Sequence, residues 1–149
     1  MPVKQICTAT LALGTILAAS QAAPAADPSG SWLTEKNEAR IRITRCGPDM
    51  LCGSLTALRE PLDPRTRRPK TDENNRDPRL RGRSLIGVMI VVGMKPGRRP
   101  GEWTGHVYNP DDGGYYPAKI TMRNARTLRL EGCIVPGALC DGQTWVRAR

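Results

Sequence analysis

Gly30-Ser31-Trp32 stands near the start of this chain, and Thr144-Trp145-Val146-Arg147 lies almost at its end. A Gly-x-Trp strand at one terminus and an arginine-bearing strand at the other are what a barrel needs if its first strand closes on its last. Just inside the first of these stretches, Ala39, Ile41 and Ile43 share one face of an extended segment, and Arg40 and Arg42 share the other. That alternation suits a half-buried antiparallel strand. Working outward, period-two patterns separated by turn signals recur to the end of the chain. The expected strands are residues 30–34, 38–46, 51–57, 84–94, 103–108, 115–123, 127–134 and 143–147, eight in all. Eight short strands with mostly local connections fit an all-β, antiparallel up-and-down barrel, which removes its edges by closing on itself. A β-sandwich is the competing arrangement.

Residues 1–25 read as a processing signal. Lys4 is their only charge, residues 6–19 are almost wholly apolar or small, and Ala23-Pro24-Ala25 supplies an A-x-A cleavage site. The apolar run is too short, and too soon followed by Pro24 and Asp27, to span a bilayer. Cys7 precedes that run, which is not where a lipidated cysteine would stand. The expectation is a soluble exported protein, periplasmic or secreted, with no transmembrane anchor; a retained N-terminal anchor is the alternative. Residues 26–149 are enough for a single domain and too few for two.

The chain carries 23 Lys and Arg against 14 Asp and Glu, for a net charge of +9. Much of the excess falls in one stretch: Arg65, Arg67, Arg68, Lys70, Arg76, Arg79, Arg81 and Arg83. Such a stretch is either a solvated basic loop or a means of concentrating anionic partners. Nucleic acid is not an expected partner, because export removes the protein from it and no binding motif is present.

Four cysteines follow the processing signal, spaced Cys46-x5-Cys52 and Cys133-x6-Cys140. An even count in a small exported chain points to disulfides, with three possible connectivities. Each pair brackets turn residues, Gly47-Pro48-Asp49 in one case and Pro136-Gly137 in the other, so local pairing closes the shortest loops. Zinc is the alternative, but structural zinc prefers closer cysteine spacing and the only histidine is His106. No cofactor and no metal are expected. Calcium through Asp72, Asn74 and Asp77 would lack the glycine and the terminal glutamate of an EF-hand loop.

Residues 59–83 form the one long connection, with Pro61, Pro64, Pro69 and Pro78 and no strand pattern. Loops of this length are usually functional or disordered. The prolines suggest a stiff crossing segment, and Asp77-Pro78 reads as the N-cap and first residue of one helical turn. The expected fourth strand is apolar on both faces, so its outer face needs a cover, either this loop or a partner chain. Asp63, Lys70, Asp72, Asn74, Asn75, Asp77 and Arg81 crowd polar groups into the loop. They could form a polar lid over a ligand at the barrel mouth; equally, Asp and Asn cap turns through their own backbone.

These residues resemble the lipocalin-like, or calycin, barrels, in which a Gly-x-Trp strand packs against an Arg or Lys of the last strand. Trp32 with Arg147, or Arg149, would make that contact here. More specifically, nearly the whole processed chain is similar to domain of unknown function family 2147, a family of uncharacterised secreted bacterial proteins. The matching stretches are Asp27 to Trp32, Cys46 to Gly53, Pro61 to Pro64, Pro69 to Asp72, Asn74 to Pro78, Leu80-Arg81, Tyr108-Asn109-Pro110 and Gln143-Thr144-Trp145. Arg67 and Arg76 stand where the family pattern usually places Gly and Pro, which makes this loop more basic. The resemblance implies a lipocalin-like barrel with an export signal and no established activity.

The functional expectation is a monomeric, non-enzymatic barrel that binds a small amphipathic or lipid-like ligand. Inward aliphatic side chains would hold its apolar part, with Lys70, Asp72, Asn74, Asp77, Arg81 and Tyr108 as the candidate polar contacts and Trp32 and Arg147 closing the base. The alternative is a fully packed barrel that meets an envelope partner through its basic loop and apolar outer strand. An enzyme has the least support: no acid–base pair stands out, and no Ser or Cys can be paired with His106, whose default reading is an exposed strand residue.

Overall fold

A computed structural model describes residues 26–149; the expected processing signal, 1–25, lies outside the described residues. Eight strands follow in chain order: β1 Gly30–Leu33, β2 Ala39–Gly47, β3 Met50–Leu58, β4 Met89–Pro96, β5 Glu102–Asn109, β6 Gly114–Asn124, β7 Thr127–Val135 and β8 Leu139–Arg147. Each pairs antiparallel with the next, and β1 pairs with β8, so the sheet is a closed barrel. The all-β barrel is therefore as expected.

Alternation builds the interior. Trp32 faces Ile41, Ile43 faces Gly53, Ile120 faces Leu130, and Leu128 faces Trp145. These side chains, with Leu55, Val91 and Met94, are buried and form one core cluster. Gly53 is a packing requirement: a Cβ there would press on Ile41, Ile43 and Val91 at 3.0–3.1 Å. With no Phe in the chain, Trp32, Trp145, Tyr108 and aliphatic residues make up this core.

The β1–β8 seam holds by two register pairs only, Trp32 with Arg147 and Leu33 with Val146. Side chains reinforce it. The Arg147 guanidinium lies 4.4 Å from the centroid of the Trp32 ring. Its Nε donates to the Ala125 carbonyl at 2.8 Å, Nη1 to Ser29 at 2.7 Å and Nη2 to Asp27 at 3.0 Å. The Trp32 indole donates to the Pro28 carbonyl at 2.7 Å. Gly30 takes φ +125°, and the Arg147 guanidinium fills the space where its Cβ would sit, so the glycine of the Gly-x-Trp stretch is set by the arginine.

Both disulfides are local, Cys46–Cys52 and Cys133–Cys140. The first staples the β2–β3 turn. The second joins directly paired residues of β7 and β8, and β8 starts at Leu139 rather than at 143, because the ladder runs on past the bridge. Short loops remove little entropy from the unfolded chain, so each bridge stabilises by only about 2–3 kcal/mol.

The fourth strand begins later than expected, at Met89 instead of 84. Gly87 at φ +97° interrupts the extended run, and Ser84 pairs across the long loop with Thr71 instead. The expected cover for the apolar residues here is partial. Val88 and Ile90 are buried, whereas Ile86 and Met89 remain 43% and 42% exposed. The helical turn forms as a 3-10 turn over Pro78–Leu80, with the Asp77 carboxylate accepting from the Arg79 backbone N–H. Among the described residues no helix is long and apolar enough to cross a membrane.

Candidate functional site

The β1–β2, β3–β4, β5–β6 and β7–β8 connections all lie at one end of an up-and-down barrel, opposite the end where Arg147 meets the N-terminal carbonyls. A cavity of about 940 Å³ occupies that half of the interior. Ile41, Leu55, Val107, Leu130 and Trp145 line its apolar wall. Gly132 of β7 also lines it, and Tyr116 of β6 and Gln143 of β8 bring polar groups to the same wall.

The polar groups of the cavity come mostly from the strand ends. Tyr116 faces inward beside Val107, and its hydroxyl donates to Asp112 at 2.7 Å. That hydrogen bond, joined by donors from Gly114 and Asn109 at 2.7 and 3.1 Å, holds the Asp112 carboxyl below the usual carboxylate range and raises the Tyr116 phenol. Gln143 accepts from the Trp145 indole at 3.1 Å, which fixes the amide at the cavity wall. Five carboxylates line the cavity (Glu38, Glu60, Asp111, Asp112 and Asp141) against two cations, Arg59 and Lys70. The mouth is thus acidic, although the protein is basic.

The long loop reaches from this mouth to the outer wall. Lys70 and Leu85 border the cavity, and the Thr71–Ser84 bridge carries the loop onward as a two-stranded strap. Tyr108 pairs with exposed Tyr115 and alternates with inward Val107, so its side chain points outward. It is nonetheless only 1% exposed, because the strap covers it. Asp72, fully buried, accepts from the Tyr108 hydroxyl at 2.5 Å, from Asn75 Nδ2 at 2.8 Å, and from Arg83 Nε and Nη2 at 3.0 and 2.8 Å. Asn75 also donates to the Tyr108 oxygen at 3.0 Å. Every side chain in this network has its partners, as buried polar groups require.

The residues of the expected polar lid do not share one place. Of its candidates, Lys70 and Tyr108 border the cavity, and the Tyr108 phenol is already committed to Asp72. Asp72 is sealed within the loop. Asn74 ties the loop to the β5–β6 turn by donating to the Pro110 carbonyl at 3.1 Å, and a Cβ on Gly113 would collide with the Asn74 backbone, so that turn is fitted to the loop. Asp77 caps the 3-10 turn and pairs with Arg79 at 2.8 Å. Arg81 donates to the Asn75 carbonyl at 2.8 Å and does not line the cavity. Of these four, Asp77 caps a turn, while Asp72, Asn74 and Arg81 hold the loop to itself and to the β5–β6 end of the barrel. Asp112, Tyr116 and Gln143 were not singled out from sequence. Carrying the period-two register through the Asn109–Gly113 turn would have placed Tyr116 inside.

The buried network makes a titration prediction. Burial, then the Asp72 hydrogen bond and charge, push the Tyr108 phenol up to about 12. A phenol whose folded value is raised contributes stability that is fully present below its unfolded value, near 10, and is lost as pH climbs through the folded value. Ultraviolet titration of the tyrosinates should show one phenol ionising only around pH 12, and Tyr108→Phe should remove that step. A late step that survives in Tyr108→Phe would place the protected phenol elsewhere.

Two comparisons bear on what such a barrel is. The sequence profile of the family described as "Uncharacterized protein conserved in bacteria (DUF2147)" matches residues 30–147. The chain belongs to this family. Among curated proteins, no sequence matches it. Among solved structures it resembles a Helicobacter pylori protein, HP1028, described as belonging to the lipocalin family, with a TM-score of 0.69 and 19% identity over 83% of this chain and 84% of that one. At that identity the likeness is one of fold. For this family member the lipocalin-like barrel and the two disulfides stand together, and a disulfide-bearing protein of a bacterial family fits an extracytoplasmic compartment.

Proposed function

We propose that this family member is an exported, monomeric carrier that holds a small, largely apolar molecule in the barrel mouth. The observation that carries the reading is the cavity of about 940 Å³ walled by Ile41, Leu55, Val107, Leu130 and Trp145. Its size falls in the range of small-molecule sites, which are mostly apolar with a few placed polar groups. Tyr116, Asp112 and Gln143 are those groups here. The excess of carboxylates at the mouth favours a neutral hydrogen-bonding or cationic end over the anionic head group expected from Lys70 and Arg81. Lys70 remains a rim contact in this reading. The processing signal supports periplasmic or secreted delivery. A fully packed barrel, the alternative expectation, does not suit a cavity of this size.

A neutral apolar fluorophore, N-phenyl-1-naphthylamine, serves as the probe. Wild type should take it up with a blue shift and saturate. Val107→Trp puts an indole into the cavity at a cost of about 1–3 kcal/mol for overpacking, so the barrel should stay folded and lose the probe by at least tenfold in affinity. Equal probe binding by a folded Val107→Trp barrel would contradict the proposal.

A further inference from the structure

The outer wall at the β1–β8 seam carries a second recess, separate from the cavity. By direct register, Arg40, Leu33, Val146 and Thr127 form one row across β2, β1, β8 and β7. Their chain neighbours Trp32, Ile41, Trp145 and Leu128 are buried, so the row faces outward. A shallow groove of about 1030 Å³ lies over it, bordered also by Arg126 of the β6–β7 turn and by Arg149. Of the ten residues lining it, four are arginine and none is acidic.

Arg147 is committed to Trp32 and three carbonyls. Arg40, Arg126 and Arg149 are exposed and make no ion pair among the described residues. Two outward cations elsewhere on the barrel are neutralised: Lys119 and Arg129 both meet Glu131, at 3.6 and 3.2 Å. The floor between the free arginines is apolar, with Leu33 half-buried and Val146 44% exposed.

We propose that this groove is the face by which the protein rests on an anionic bilayer, lipid phosphates taking Arg40, Arg126 and Arg149 while Leu33 and Val146 meet the interface beneath. Charge complementarity selects an anion, because three cationic side chains stand together with no acidic side chain among the groove's lining. The open shape selects a surface: the guanidinium groups frame a shallow groove and do not converge on a buried point, as a small anion would need. The apolar floor gives a bilayer something to touch that a soluble polyanion would not use, and arginine stems can extend along such a boundary with their heads in the phosphate layer.

Every strand pairing closes within Gly30–Arg147, so the chain from Ala26 onward is the protein to test. Its sedimentation with vesicles of phosphatidylglycerol in phosphatidylcholine is compared with vesicles of phosphatidylcholine alone. Wild type should bind the anionic vesicles and release them with salt. At about fivefold per arginine near a charged surface, Arg40→Gln/Arg126→Gln/Arg149→Gln should lose roughly 100-fold, with its thermal midpoint retained. Val146→Ser should weaken binding further at high salt, and the loop variant Arg65→Gln/Arg67→Gln/Arg68→Gln should stay within a few fold of wild type. Val107→Trp, which fills the cavity, should bind vesicles as wild type does, so this face and the cavity are tested separately. Wild-type indifference to anionic vesicles would overturn the proposal, as would equal losses in the seam and loop variants. Binding of soluble polyphosphate in preference to vesicles, unaffected by Val146→Ser, would equally overturn it, because the partner would then be a polyanion in solution.

Discussion

Replacing Trp32 by alanine is expected to destabilise the barrel by about 3–5 kcal/mol, the range for removing a large buried aromatic. Trp32 is fully buried and stands at the centre of a seam with two register pairs, held otherwise by the Arg147 side chain and one backbone bond from Ala148 to Ser31. Arg147→Ala should cost less. The carbonyls of Asp27, Ser29 and Ala125 that lose their donor lie at the end of the barrel where water can replace it. The double variant should fall short of the sum by about 1–2 kcal/mol, because the indole and the guanidinium are in contact and such neighbours couple. Chemical denaturation of the four species measures this. Additive losses would show that the cation–π contact contributes nothing to closure.

Asp72→Ala is the second large effect, expected at about 3–5 kcal/mol, the cost of breaking a buried charge pair. The substitution removes the acceptor for Tyr108, Asn75 and Arg83 together. The Arg83 side chain is 38% exposed and can turn to water, which places the result toward the lower end. Tyr108 and Asn75 have no such escape. Arg83→Ala should therefore cost clearly less than Asp72→Ala, and proteolysis of the Asp72 variant should cut first between residues 59 and 88, where the strap loses its anchor. An Asp72→Ala barrel as stable as wild type would mean that the strap is held by its apolar contacts alone.

How far the sequence carries depends on the range of each contact. Turn-scale features were legible. The Cys46–Cys52 and Cys133–Cys140 pairs bracket their own turns, and Asp77-Pro78 caps its own 3-10 turn. The barrel was legible through alternation, and its closure through Gly30-x-Trp32 and Arg147, with the Gly30 φ and the guanidinium beside it as the physical reason for the pattern. The start of β4 was not, because Gly87 reads as an ordinary member of an apolar run until its positive φ is known. The fate of Asp72 was still less accessible. Its partners are 3, 11 and 36 residues away, and nothing local separates a carboxylate that meets a ligand from one sealed under a loop. Whether the interior is filled or open was beyond the pattern as well, since Ile41, Leu55, Val107, Leu130 and Trp145 lie far apart in the chain and wall one space only once the barrel closes.

In the proposed function the barrel mouth holds an apolar molecule. Purification from the native host under non-denaturing conditions, followed by solvent extraction and mass analysis, tests it most directly when wild type and Val107→Trp are treated in parallel. A single small apolar species should leave wild type in near-equimolar amount, and the folded Val107→Trp barrel should lack it. Identical extracts from the two, or wild type with nothing to extract, would contradict the account.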